Sequence, residues 1–240
     1  MADYNTIRAG RVGAGAVHID EGLKAHMNKV YGLMSVGLAV TGLVAYFVGS
    51  NDALLASIFG TPLKWVVMFA PLAVVFAFGA MIGKMSAATA QMVFFGFAAL
   101  MGLSISYIFA VYTGVSIAQT FLITAIAFAG LSLYGYTTKR DLSAMGAFLV
   151  MGLIGLIVAS VVNIFLASSA MAFAISVIGV LIFAGLTAFD TQRIKNDYIE
   201  HAQMGDADWL AKSAILGALT LYLDFLNLFM FLLQFLGNRE

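Results

Sequence analysis

The amino-acid sequence predicts an all-α membrane protein with seven transmembrane helices. Three observations lead to this fold class. Of the 240 residues, 62% are hydrophobic and only 10% are charged, whereas a soluble domain carries charge on about a quarter of its residues. The apolar residues form uncharged runs long enough to cross a bilayer. The segments between these runs are too short for a separate soluble domain, so the whole chain is expected to lie in or against lipid.

The first two helices are predicted from uncharged runs of roughly 20 residues each, the length that a transmembrane helix needs. Val30–Asn51 is expected to form the first helix. Trp65–Gly83 is expected to form the second, with a kink at Pro71 because proline removes one hydrogen bond from the helix ladder.

The remaining five helices are predicted from two double-length runs and one single run. Met85–Thr138 carries no charge and is too long for one span, so we expect two helices with a hinge near residues 112–119. Leu142–Phe189 is likewise expected to form two helices, with a hinge near residues 163–170. Ser213–Leu236 supplies the seventh helix.

Charge distribution predicts the domain organisation and the orientation. Residues 1–26 are expected to be a polar cytoplasmic N-terminal tail without the apolar segment of a signal peptide, and residues 27–240 the seven-helix transmembrane domain. If the N-terminus is cytoplasmic, ten basic residues fall on the inner side and two on the outer, as the positive-inside rule favours. An odd number of spans then places the C-terminus outside, in the periplasm of a two-membrane cell. The inner residues are Arg8, Arg11, Lys24, Lys29, Lys84, Lys139, Arg140, Arg193, Lys195 and Lys212, and the outer ones are Lys64 and Arg239.

Composition also argues against several functions. The net charge is zero, so no nucleic-acid partner is expected. The chain has no cysteine, which excludes disulfides and thiol chemistry. Its three histidines, His18, His26 and His201, lie in the predicted tail or in a loop. We therefore expect no catalytic site, no resident cofactor and no enzyme activity.

Two acidic residues do not fit the tails and loops: Asp224 lies inside the last predicted span, and Asp190 directly follows the end of the one before it. An ionised carboxylate in mid-membrane is unfavourable by roughly 3 kcal/mol on insertion scales, so each needs a partner, a proton or water. Both lie equally far from Ala207 along the chain, so an antiparallel hairpin turning there brings them to a similar depth. Two such carboxyl groups tend to share one proton, and with access to water they could also bind Ca²⁺ transiently. Alternatively, Arg193 is one helical turn from Asp190 and could pair with it at the membrane surface.

The seventh predicted helix carries a stripe of mostly small or polar residues at alternating spacings of four and three, which places them on one face. This face is expected to pack against other helices or to meet water. Thr220 and Asn227 are candidate pathway-lining residues. Asn163, before the second hinge, either lines the pathway or satisfies backbone groups at a helix end. The stripe consists of Ser213, Gly217, Thr220, Asp224, Asn227, Phe231 and Gln234.

Four segments, "AFDTQRI", "LYLDFLNLF", "VVNIF" and "TTKRDLS", resemble the transmembrane Bax inhibitor motif (Bax inhibitor-1-like) family in its bacterial branch. The resemblance covers roughly Asn28–Gly237. It implies two three-helix layers around a central C-terminal helix, in a bacterial inner membrane. It further implies a calcium leak gated by pH through two aspartates, which by motif are Asp190 and Asp224. Family members carry a basic residue near the inner end of the second helix, where this chain offers only Lys84, which lacks the bidentate geometry of arginine.

The function predicted from these residues is a pH-sensitive calcium leak channel, with the lipid bilayer and calcium ions as its partners. Lys84 and Arg193 are candidate partners of the aspartate pair. Two alternatives remain open at this stage. The chain could regulate a membrane-bound quality-control protease of the AAA class through its N-terminal tail, or it could be a proton-coupled transporter, since buried carboxylates serve that chemistry too.

Overall fold

A computed structural model describes the backbone of residues 3–201 and 207–238 and the side chains of residues 20–201 and 208–238. The described backbone is almost entirely helical. Short 3₁₀ turns at Ile82–Lys84 and Ser106–Ala110 extend two of the helices. The α-helices are α1 (Asp3–Gly49), α2 (Asp52–Phe59), α3 (Leu63–Met81), α4 (Ala87–Ile105), α5 (Gly114–Thr137), α6 (Ser143–Leu166), α7 (Ser169–His201) and α8 (Ala207–Leu236).

Seven of these helices, all except α2, are long and apolar enough to cross a membrane, which confirms the predicted number of spans. Both predicted hinges are also present. Thr113 caps the start of α5, where its Oγ1 accepts a hydrogen bond from the amide of Ser116 at 3.2 Å. At the second hinge α6 ends on Ala167, whose left-handed backbone (φ 49°) turns the chain into α7.

The boundaries differ from the prediction at four places. The helix of α8 begins at Ala207 and not at Ser213. The helix of α1 begins at Asp3, so the segment predicted as a tail continues into the first span. The helix of α7 runs past Phe189 to His201. A short helix, α2, was not predicted. It begins because the Asn51 side chain accepts a hydrogen bond from the amide of Leu54 at 3.1 Å, which is typical N-capping geometry.

The other six spans form two layers around α8. One layer contains α1, α3 and α4, the other contains α5, α6 and α7, and α8 contacts α1, α4, α5 and α7. In the most apolar stretch of α8, 61% of the residues are buried, against 11% in α6. The C-terminal helix is therefore the centre of the bundle, and α6 lies at its periphery.

Glycines allow the closest helix contacts. A Cβ on Gly102 of α4 would lie 2.5 Å from the carbonyl oxygen of Thr41 in α1. A Cβ on Gly135 of α5 would overlap the carbonyl oxygen of Ala188 in α7. In a bilayer, where helix association depends on close packing rather than on the hydrophobic effect, such contacts stabilise each layer.

The described basic side chains concentrate at one end of the bundle, which we call the basic end. There the ring of His26 packs on that of Tyr198 with centroids 4.8 Å apart. At the opposite end, the amide of Thr113 donates to the carbonyl oxygen of Asn238 at 3.2 Å. Lys64 lies at that opposite end, at the start of α3. Arg8, Arg11 and Arg239, which the orientation prediction also used, lie outside the described side chains. Which end faces the cytoplasm stays a prediction.

Candidate functional site

Asp190 of α7 and Asp224 of α8 lie in the interior of the bundle. Their exposed fractions are 7% and 5%. Asp224 is twelve residues from Lys212 and twelve from Leu236, so it lies roughly 18 Å along the helix axis from either end of the apolar segment. Both carboxyl groups are therefore removed from bulk water. They lie side by side, as expected for an antiparallel hairpin that brings the two residues to a similar depth.

The two carboxyl groups contact each other. Their side chains lie next to each other across the α7–α8 interface. A hydrogen bond between them requires a proton on one of the two groups, because two carboxylates can only accept. Oδ2 of Asp224 is buried and has no hydrogen-bond partner within the described part of the chain. The neighbouring carboxyl of Asp190 is thus the group that can satisfy it.

Arg193 is the basic residue nearest to the pair. Its Nη1 lies 3.4 Å from Oδ1 of Asp190, one helical turn closer to the basic end, and its side chain is 56% exposed. Because the guanidinium is largely solvated, this ion pair contributes little to stability. It offsets part of the negative charge on Asp190, with which it pairs, and it also acts electrostatically on Asp224.

A cavity of about 730 Å³ lies against the aspartate pair. Its walls come from α6, α7 and α8, with Leu72 of α3 closing one side. Most of the lining is apolar. The polar lining residues are Ser160, Asp190, Arg193, Thr220, Asp224 and Asn227. Thr220 and Asn227, the two stripe residues predicted to line a pathway, are thus next to the pair. Their role in conduction stays a prediction.

Two other candidate residues lie away from the pair. Asn163 is at the C-terminal end of α6, where its Oδ1 accepts from the amide of Ser168 at 3.1 Å. Asn163 does not line the cavity. Its contact is the one expected of a residue that satisfies backbone groups at a helix end, and not of one that lines a pathway. Lys84 is exposed at the basic end and has no recorded ion pair with a described acidic residue. Arg193, and not Lys84, is the basic group in contact with the pair.

A buried chain of hydroxyl groups, which was not predicted, begins beside Asp190. Thr191 Oγ1 lies 2.9 Å from Ser132 Oγ in α5, which lies 2.6 Å from the hydroxyl oxygen of Tyr31 in α1. This chain joins the two layers. The sequence signal was weak, because a threonine or a serine in an apolar helix usually bonds to its own backbone, as Thr191 also does with Thr187.

Gln192, the next residue, fixes α7 to the loop between α5 and α6. Its Nε2 donates to the carbonyl oxygen of Arg140 at 2.8 Å, and its Oε1 accepts from the amide of Leu142 at 2.9 Å. The side chain is 6% exposed. Together, Thr191 and Gln192 hold the segment of α7 that carries Asp190.

The site offers few metal ligands. No group of three or more His, Cys, Asp or Glu side chains is found within the parts of the chain that the structure describes. Ca²⁺ takes six to eight oxygen ligands in a stable site. Two carboxyl groups with the neighbouring Thr220 and Asn227 would hold it only weakly.

The fold and the buried pair define a class: a polytopic all-α membrane protein of seven spans, with two carboxyl groups in contact near the middle of the bundle. The family model described as "Inhibitor of apoptosis-promoting Bax1" matches residues 23–240. The chain therefore belongs to the Bax inhibitor-1-like family of membrane proteins, and the resemblance seen in the sequence is confirmed.

Bacterial relatives match over nearly the whole chain. The inner membrane protein YbhL of Escherichia coli K12 is 49% identical over 220 residues, which cover 91% of this chain and 94% of that protein. An uncharacterized protein of Rickettsia prowazekii is 48% identical over 221 residues, covering 92% of each chain. One from Caulobacter vibrioides is 45% identical over 252 aligned positions, covering both chains completely.

Proposed function

We propose that this protein is a calcium leak channel whose conductance depends on pH through the pair Asp190 and Asp224. The observation that carries the proposal is the contact between two buried carboxyl groups from different helices at the wall of a 730 Å³ cavity. Buried ionisable residues in membrane proteins occur chiefly on ion pathways and proton relays. For a passive ion pathway, the aspartate pair needs only to act as a gate that opens and closes.

The gate works through the number of protons on the pair. With one proton shared, the hydrogen bond holds α7 against α8 and the pathway is closed. With no proton, two negative charges face each other. At a separation of about 4 Å and an effective dielectric constant of about 20, their repulsion is about 4 kcal/mol. Arg193, which pairs with Asp190, offsets part of this repulsion. The helices then separate at the pair, so conduction rises as pH rises.

Calcium fits this site because hard cations prefer carboxylate, amide and hydroxyl oxygens. Asp190 and Asp224 bind the ion transiently once deprotonated, and Thr220 and Asn227 add oxygen ligands along the cavity. The cation replaces the missing proton and neutralises the pair. Because the site offers Ca²⁺ fewer ligands than a stable calcium site does, the ion is bound weakly and can leave to the other side of the membrane, as conduction requires.

The protein is placed in a bacterial inner membrane, with the basic end cytoplasmic. The relative YbhL is an inner membrane protein by name, and the basic end follows the positive-inside rule. The N-terminus is then cytoplasmic and the C-terminus outside.

Calcium entry into dye-loaded proteoliposomes at about pH 8 tests the proposal. The wild type should conduct above empty liposomes. Asp190→Asn and Asp224→Asn each remove the repulsion that opens the gate, so calcium entry should fall by about tenfold or more. Asp208→Asn is the matched control. Asp208 lies on the same helix, is exposed and pairs with Lys212 at 2.6 Å, so this variant should conduct like wild type.

If the wild type conducts no more calcium than empty liposomes, the channel is refuted. Deletion of residues 1–19 separates the leak from the regulatory alternative. It spares Leu23, which is only 6% exposed and belongs to the core. A leak survives this deletion, whereas an interaction through the N-terminal segment, such as one with a membrane-bound AAA protease, does not.

A further inference from the structure

A second and larger cavity lies on the opposite side of α8 from the aspartate pair. It is a groove of about 1410 Å³ between α1 and α5, with Phe225 and Phe229 of α8 at its floor. This volume exceeds the range of roughly 300–1,000 Å³ that is usual for small-molecule pockets. A hydrogen bond of 2.6 Å between Tyr31 and Ser132 ties the two walls together.

The groove follows the direction of the spans and is open at its side. Its lining begins at Lys24 and ends at Tyr46 on α1, a distance of roughly 33 Å along the helix axis. The hydrocarbon core of a bilayer is about 30 Å thick. Leu43 and Leu133, which line the groove, are 69% and 63% exposed. In a chain of seven spans, this open side faces the acyl chains of the bilayer.

The end of the groove at the basic end is polar and cationic. Lys24 and Asn28 line it and are exposed. Nζ of Lys195 donates to the carbonyl oxygen of Tyr136, another lining residue, at 2.7 Å. Among the described side chains, none of those that line the groove is acidic. Basic pockets between transmembrane helices on the cytoplasmic side bind anionic lipid head groups. Lys24 and Lys195 therefore indicate an anionic lipid as the occupant of the groove.

We propose that the groove between α1 and α5 is a binding site for an anionic phospholipid. Its phosphate lies beside Lys24 and Lys195, and an acyl chain lies along α1 and α5 over the aromatic rings of α8. The bound lipid fills the space that separates the two layers on this side of the bundle. The proposal does not depend on the calcium leak, because the groove and the aspartate pair lie on different faces of α8.

The test counts the phospholipids that the full-length protein retains. Protein from vesicles of equal phosphatidylglycerol and phosphatidylethanolamine is extracted into mild detergent and analysed by native mass spectrometry. Ser35→Leu and Ala129→Leu place a larger side chain in the groove from opposite walls, within one leaflet of Lys24. Gly32→Leu and Gly130→Leu are matched controls on the same two helices, where an added Cβ meets no atom within 4 Å and the side chain does not line the groove.

The wild type should retain a phospholipid, with phosphatidylglycerol preferred over phosphatidylethanolamine. Each groove variant should lower retention by about tenfold, while both controls keep the wild-type level. Lys24→Gln should remove the preference for phosphatidylglycerol and leave phosphatidylethanolamine binding intact. The proposal would be overturned if the wild type retained no phospholipid, or if the groove variants and the controls retained the same amount. A head-group preference unchanged by Lys24→Gln would overturn the assignment of the phosphate. A thermal melt of each variant verifies its fold.

Discussion

Replacing Gly135 with alanine tests whether the close approach of α5 and α7 supports the site. Gly135 is buried in α5, and the opposing residue, Ala188, is two positions before Asp190 in α7. A side chain added here meets backbone, not the flexible end of another side chain. The only accommodation is a movement of one helix away from the other.

The size of the effect follows from the overlap. The new methyl carbon would lie 2.9 Å from the carbonyl carbon of Ala188 and 3.0 Å from its Cα, and still closer to its carbonyl oxygen. Ordinary carbon–carbon contacts are about 3.5–4.0 Å, so the helices must separate by roughly 1 Å. Overpacking of this kind destabilises a protein by about 1–3 kcal/mol. Asp190 moves with α7, so calcium flux should lose part of its pH dependence as well.

The assay is reversible unfolding in mixed micelles, with the free energy of unfolding as the readout. Gly130→Ala, on the same helix, is the control, because a Cβ there meets no atom within 4 Å. Alanine is the better helix former by about 1 kcal/mol, so this variant should be as stable as wild type or more stable. If Gly135→Ala is no less stable than Gly130→Ala, the close approach of α5 and α7 is not as described.

Two further predictions concern the loop between α5 and α6. Gln192→Ala leaves the amide of Leu142 and the carbonyl of Arg140 without their partner, so the free energy of unfolding should fall by about 1–3 kcal/mol; an unchanged value would show that water replaces the side chain. Asp141 is fully exposed, and hydrogen bonds from Ser143 lower the pKa of its carboxyl below the usual value. The stabilising contribution of these bonds is thus present above the ordinary pKa of aspartate and is lost as pH falls through the lowered pKa. The carbon-13 signal of the Asp141 carboxyl is assigned by its loss in Asp141→Asn. Its titration midpoint should lie at a lower pH than that of free aspartate, and an equal midpoint would contradict the hydrogen bonds from Ser143.

Much of the fold could be predicted because the bilayer restricts the choice. Long uncharged runs that cross a bilayer form helices, because a helix satisfies its own backbone groups. The length of each run then gives the number of spans that it contains. The contact between Asp190 and Asp224 followed from their equal distance to Ala207 in a tight hairpin. The start of α2 was missed because it depends on local capping by Asn51 and not on hydropathy.

The surroundings of the site could not be predicted in the same way. Leu72 of α3 and the wall from α6 come from distant parts of the chain, and no spacing rule relates them to Asp224. The hydroxyl chain from Thr191 to Tyr31 depends on helix rotation within the bundle, which packing decides. The family resemblance suggested Lys84 as a partner of the pair, but Lys84 lies exposed in the 3₁₀ turn that follows α3.

The central claim is that one shared proton on the aspartate pair closes the calcium pathway. Its most direct test is the pH profile of calcium flux between about pH 5 and about pH 8, measured in proteoliposomes for the wild type and for Asp190→Asn. Wild-type flux should rise with pH as the pair loses its proton. Flux through Asp190→Asn should stay low and flat, because a single carboxylate at Asp224 has no charged carboxyl partner to repel it. A variant whose profile runs parallel to that of the wild type would contradict the claim and would move the pH sensor away from this pair.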